Sequence, residues 1–276
     1  MQDALAYCES LVRDADKDRY LATLFAPAAR RPDLYALYAF NIEIGRVREL
    51  AREPLAGAVR LQWWRDALDG AREAEARAHP VANALRETIA RHGLPVSILI
   101  DFLEAREFDL YDDPMPSLNA LEAYARRTSA NLMDLAGRVL ADAPPPADLT
   151  ASAGIGYGLT GLLRSFAYHA SQGRIFVPAD VLDRHGVEIA DVLDGRSSAG
   201  LRAALAEMRA RARRHLAAFA ARAAQAPAIF APSFLPLALV PLYLARLERD
   251  ADAPFAPPAD VPQWRRQWTL WRAARR

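Results

Sequence analysis

Apolar residues recur along this chain at helical spacing from end to end, and no segment alternates apolar and polar residues as a half-buried strand would. An amphipathic run from Asp3 to about Arg13 predicts an opening helix, and Asp18-Arg19-Tyr20 starts a second piece that Pro27 interrupts. Arg31-Pro32-Asp33 is a helix start, with proline in the first turn where no intrahelical N–H is needed. Leu34, Leu37, Tyr38, Ile42 and Ile44 carry that helix to about Arg52. Pro54 divides it from a helix bearing Arg60 to Asp66, and Pro80 and Gly93-Leu94-Pro95 bracket a short one. Ile98 to about Leu110 follows, then a turn at Asp112-Asp113-Pro114 and a helix from Ser117 to about Leu140.

Beyond the stiff connector Ala143 to Pro146, the richest stretch runs from Gly156 to Pro178. Gly154, Gly158 and Gly161 predict close approach of a neighbouring backbone. Arg164, Ser165, Tyr168 and His169 place a polar cluster at the helix end, with Ser165 and His169 on one face. Gly173 closes the helix and Arg174 to Pro178 leads away. Such a polar face on an otherwise apolar helix asks for a ligand, a partner or a well-paired core. Gly200 to Ala226 predicts a long helix whose Arg209, Arg211, Arg213 and Arg214 form a solvated charge strip. Ala228 to Ala245 is apolar, but Pro232, Pro236 and Pro241 interrupt it, so it reads as buried core and not as a span of roughly 20 residues.

At 276 residues with 52% hydrophobic and 25% charged, the chain reads as one all-α domain over residues 1–276. A net charge of +1 gives no steering toward nucleic acid. The lone Cys8 allows no intrachain disulfide, and His79, His92, His185 and His215 have no metal-ligand spacing. The start Met1-Gln-Asp-Ala-Leu-Ala lacks the basic-then-apolar pattern of a secretory signal. Alanine and arginine richness suggests a GC-rich bacterial genome, and the expected location is cytoplasmic, with a peripheral place at the inner face of the plasma membrane.

Gly156 to Pro178 resembles the second signature of the squalene/phytoene synthase family, close to L-x-x-N-I-L-R-D-x-x-x-D-x-x-x-G-R-x-Y-L-P. Leu163-Arg164, Gly173-Arg174 and Pro178 match in place, while the two aspartate positions hold Ser165 and His169. Tyr38-Ala39-Phe40 matches the phrase before the first aspartate-rich motif, Y-A-F-C-R-x-x-D-D-x-x-D, and its acidic positions become Gly45, Arg46 and Glu49. Arg60-Leu61-Gln62-Trp63-Trp64-Arg65-Asp66 resembles the family phrase R-L-x-W-W-R-D. The resemblance runs from about Asp18 to Pro178 and more weakly to the end. It implies the isoprenoid-synthase bundle, a ring of helices around an apolar cavity. It also implies that the family aspartates hold magnesium and, through it, the substrate diphosphate.

Magnesium wants hard oxygen ligands in octahedral array, so Glu49 opposite Ser165 and His169, with Arg46 adjacent, is a poor site for it. The expected cofactor is therefore none, with magnesium required only if the chain still condenses two prenyl diphosphates. The eroded motifs resemble the branch that includes the mitochondrial complex I assembly factors. That resemblance implies a non-catalytic role in assembling NADH:quinone oxidoreductase, with complex I subunits or assembly factors as partners. The alternatives are an active head-to-head prenyl transferase and a binder of an anionic lipid or prenyl phosphate. For the last, Arg46, Arg164, Tyr168, His169 and Arg174 would make a net cationic mouth. Taken alone, Glu49 and Arg46 read equally as surface charges, His169 as a paired rim histidine, and Trp63-Trp64 as a clamp between helices. In the tail, Trp264, Trp268 and Trp271 share a helical face among arginines. That face suits a membrane surface, and it suits slightly better a helix docking its aromatic stripe on the domain.

Overall fold

Proline, glycine and a few capping side chains punctuate the chain into many short helices, and a computed structural model describes residues 2–51, 53–256 and 260–275 of it. Met1, the predicted helix end at Arg52, and the last tail residue Arg276 lie outside them. The first half runs α1 (Gln2–Ala15), α2 (Lys17–Thr23), α3 (Arg31–Gly45), α4 (Val47–Leu50), α5 (Pro54–Leu68), α6 (Glu73–Ala78), α7 (Pro80–His92) and α8 (Val96–Arg106). Then come α9 (Leu118–Ala125), α10 (Asn131–Ala141), α11 (Ala147–Arg164), α12 (Phe166–Ser171), α13 (Ala179–Arg184), α14 (Ile189–Leu193) and α15 (Ala199–Ala223). The chain ends with α16 (Ala231–Phe234), α17 (Val240–Arg249) and α18 (Gln263–Ala273), and no strand forms among the described residues. The fold is all-α, as its helical periodicity predicts.

Two large apolar clusters hold the bundle. The first joins α1, α3, α5, α7 and α8 around Phe40, which meets Trp64 edge-on at 5.2 Å and Phe102 at 5.4 Å. The Trp-Trp phrase is thus the clamp: Trp64 is buried, while Trp63 Nε1 donates to Glu75 at 2.8 Å. Arg65 pairs with Glu107, and Asp66 accepts from Gln62 and Arg72. The second cluster packs α11 against α15, α9 and α17. A separate clamp ties α3 to α7, where buried Asp33 accepts from Thr88, Arg91 and His92.

Several predicted elements differ in detail. The helix predicted to Arg52 ends at Gly45 and restarts as α4, with Arg46 between them at φ −90°, ψ −4° and its N–H shared between the Ile42 and Glu43 carbonyls. The Ser117–Leu140 helix widens into a π-type turn at Arg126–Ala130, which carries Thr128 and Ser129 between α9 and α10. Ser165 breaks the glycine-rich helix one residue after Arg164. Gly154 and Gly158 do let the Arg126–Ala130 turn approach, but Gly161 faces open space. The arginine strip of α15 is only partly solvated: Arg209 is buried, and Arg211 and Arg213 pair with Glu122 and Glu248. Ala228 to Ala245 runs through short turns into α17 and packs Phe230, Phe234, Leu239 and Leu244 into the core, while Ile229 stays half-exposed; the stretch Ala228–Arg249 is long and apolar enough to cross a membrane, and just over half of it is buried here. The tail is a helix, but it docks Arg266 and Leu270 and leaves the tryptophans outward.

Candidate functional site

The break at Ser165 and the widened turn at Arg126–Ala130 leave a gap between α11, α2 and α18 that side chains do not fill. It is a cavity of about 470 Å³, of the size that takes a small ligand. Asp16, Asp18 and Arg19 enter it from the start of α2, Asn41 from α3, Arg106 from α8, and Tyr157, Gly161 and Arg164 from α11. Ser165, His169, Asp260 and Arg266 close one side. A second pocket of about 250 Å³ shares Gly161, Arg164, Ser165 and Asp260 with it, so Arg164 stands between the two.

The walls are charged, and the charges answer one another. Arg19 pairs with Asp16 at 2.6 Å and lies over the rings of Tyr157 and Tyr38, at 4.9 and 5.5 Å. Arg106 donates to Asp109 and to the Tyr124 hydroxyl, and its Nε has no hydrogen-bond partner. Asp18 is almost fully buried; Tyr243 donates to it at 2.5 Å, while Arg164 and Arg266 approach at 3.6 and 3.5 Å. Burial raises the Asp18 carboxyl, and Tyr243, Arg164 and Arg266 pull it back. Arg266 also pairs with Asp260, and Arg164 stacks 3.6 Å over the Tyr243 ring.

The cavity is more evenly charged than the cationic mouth that the resemblance implies. Lining the cavity are four carboxylates (Asp14, Asp16, Asp18, Asp260) and five cations (Lys17, Arg19, Arg106, Arg164, Arg266). Arg164 is committed to Asp18 and Tyr243 rather than free for an anion. Of the sequence-predicted residues, Arg164, Ser165 and His169 line the cavity. Gly45, Arg46, Glu49, Tyr168 and Arg174 are not among its lining residues. The two motif segments nevertheless face each other, because Tyr168 donates to Glu49 at 2.9 Å. Arg174 reaches the Tyr168 ring at 6.0 Å. That donor set does not fit magnesium. Its one carboxylate is engaged by a phenol, the opposite positions offer a hydroxyl and an imidazole, and Arg46 brings a like charge. No group of three or more His, Cys, Asp or Glu among the described residues is disposed to hold a metal. The loss at Gly45 is chemical and not steric, since a side chain there would meet nothing within 4 Å.

His169 is neutral. Burial first, then Arg174 and Arg106, push its imidazole down to about 4, and its Nδ1 has no hydrogen-bond partner. The folded ring binds its proton more weakly than the unfolded chain does. Stability therefore falls as pH drops from 6.5 through about 4, by up to about 3 kcal/mol. In His169→Gln, urea melts across that window should lose this slope. A curve of unchanged slope would assign the acid sensitivity elsewhere.

Asp16, Asp18, Arg19, Asn41, Arg106, Tyr157, Asp260 and Arg266 escaped the sequence reading. One signal was present: Asp18 and Arg19 share the buried face of α2 with Leu21 and Ala22, and charge on an apolar face is costly unless answered. Nothing in the sequence marked Arg106.

The sequence profile of the squalene/phytoene synthase family matches residues 12–272. The chain is similar to "NADH dehydrogenase (ubiquinone) complex I, assembly factor 6" of Rattus norvegicus, 32% identical over 248 residues, covering 90% of this chain and 74% of that protein. It is also similar to a phytoene synthase of Arthrospira platensis, 26% identical over 286 residues, covering 97% and 91%. Among solved structures, a dehydrosqualene synthase in complex with ligand superposes with a TM-score of 0.83 at 19% identity, over 99% of this chain and 95% of that one.

Proposed function

The chain belongs to the squalene/phytoene synthase family, and from that premise we propose that it has left prenyl condensation and serves the assembly of respiratory complex I, the NADH:quinone oxidoreductase. The observation that carries this reading is the donor set at the family's aspartate positions. Head-to-head condensation ionises an allylic diphosphate, and a metal must meet the departing charge. Gly45, Arg46, Ser165 and a half-buried His169, whose imidazole is held neutral near pH 7, offer no such support. The rat relative bears the assembly name, and 32% identity over 90% of this chain favours carrying it across. The expected partners are complex I subunits or other assembly factors, at the membrane that holds the complex, with α18 as the peripheral contact.

Two measurements test this. Cells deleted for the gene should accumulate less intact complex I on native gels, and the wild-type chain should restore it. Purified protein given farnesyl or geranylgeranyl diphosphate with magnesium should form no head-to-head product. Steady product formation that is lost on Glu49→Ala would put the transferase reading first.

A second reading, a carrier of an anionic lipid or prenyl phosphate, is favoured by the cavity itself. It holds about 470 Å³, and Arg106 Nε and His169 Nδ1 are buried without partners beside it. Calorimetric titration of a prenyl phosphate, with chelator present, tests it. Heat without metal supports a carrier, and tight binding only after magnesium is added supports an enzyme.

A further inference from the structure

We infer that the outer face of α18 is a docking surface for an anionic lipid bilayer. Trp264, Trp268 and Trp271 are 65%, 56% and 37% exposed, although tryptophan normally buries most of its large apolar surface. They are outward because the helix is held by its other side. Leu270 sits at zero exposure against Leu21, Leu239 and Tyr243, and Arg266 turns inward to Asp18 and Asp260. The aromatic face is preassembled: Trp268 and Trp271 stack at 4.9 Å and the Arg275 guanidinium lies 3.9 Å over Trp271.

The charge around that face selects the occupant. From Gln263 to the end the chain has five arginines and no acidic residue. Arg266 is used inward, while Arg265, Arg272 and Arg275 are exposed beside the tryptophans. Indole rings settle at the headgroup level of a bilayer, and guanidinium groups are drawn to anionic phosphates, so one face satisfies both.

The inference rests on the geometry of α18 and not on the assembly reading. The test is flotation of the full chain with vesicles of phosphatidylcholine alone and with about a third phosphatidylglycerol. The wild type should float with the anionic vesicles only, and less as salt rises. Trp264→Ala/Trp268→Ala/Trp271→Ala should lower binding at least about tenfold, with melting unchanged because those side chains are exposed. Brominated acyl chains should quench the wild-type tryptophan fluorescence and leave that of the triple variant unchanged. Wild-type protein that stays at the bottom of the gradient, floats equally with neutral vesicles, or floats undiminished in the triple variant overturns the inference. A chain that restores complex I while binding no vesicle would do so and leave the assembly reading standing.

Discussion

Asp18→Ala should lower the folding free energy by about 3–5 kcal/mol, the usual result of removing one partner from a buried charge cluster. Asp18 answers three groups at once: the Tyr243 hydroxyl at 2.5 Å, Arg164 at 3.6 Å and Arg266 at 3.5 Å. Alanine leaves the phenol without an acceptor, Arg164 with only its stack on Tyr243, and the buried Arg266 with only Asp260. Asp18→Asn separates the parts, since its amide oxygen can still accept from Tyr243 while the charge is gone. Its loss should lie between wild type and alanine. Arg266 belongs to α18, so the alanine variant should also free that helix, and trypsin should cut at Arg265 or Arg272 sooner. Urea melts of the three proteins decide it. Alanine within 0.5 kcal/mol of wild type, the span of ordinary surface substitutions, would mean that the cluster contributes nothing net.

The helices could be read from the sequence because each must hide an apolar stripe, and Leu34, Leu37, Tyr38 and Ile42 repeat at the required spacing. The roles of Phe40 and Trp64 as core were equally accessible, since large aromatics beside aliphatic residues have little other use. The breaks were harder to foresee. Gly45-Arg46 and Ser165 interrupt helices through the backbone angles of single residues, Arg46 and Ser165, and helix propensity penalises a glycine without saying whether the helix will break there.

The cavity was only half legible. Ser165 and His169 could be found from the family pattern. Arg19, Arg106 and Arg266 come from segments far apart in sequence, and which carboxylate answers each one is settled only by tertiary packing. That is why the expected cationic mouth became a compensated one. The tail makes the same point. Tryptophans at i, i+4 and i+7 mark a face but not the direction it points. The direction is set by two residues on the opposite side, Leu270 in its apolar seat and Arg266 between two aspartates. An arginine reads as a solvent-facing residue until its partners are known.

Gly154→Ala should destabilise the chain by about 3 kcal/mol and lower its melting temperature by roughly 6–10 °C. A Cβ at this position would lie within 3.0 Å of the backbone N and Cα of Ala130, inside the closest approach real side chains make. Neither side can yield by a rotamer change. Gly154 is buried in the middle of α11, and Ala130 closes the π-type turn that leads into α10. The helix must move off the turn, and the cavity wall formed by Thr128, Ser129, Tyr157 and Gly158 must move with it. Alanine's better helix propensity returns at most about 1 kcal/mol, so the clash wins. Gly161→Ala is the control on the same helix. Its added methyl would meet nothing within 4 Å and would project into the open space beside Arg164. There the propensity gain stands unopposed, so Gly161→Ala should raise stability by up to about 1 kcal/mol. The two substitutions share chemistry and helix and differ only in what the new carbon touches, so calorimetric melts should move in opposite directions. Shifts of the same sign would mean that the approach of Ala130 to α11 is looser than this packing requires.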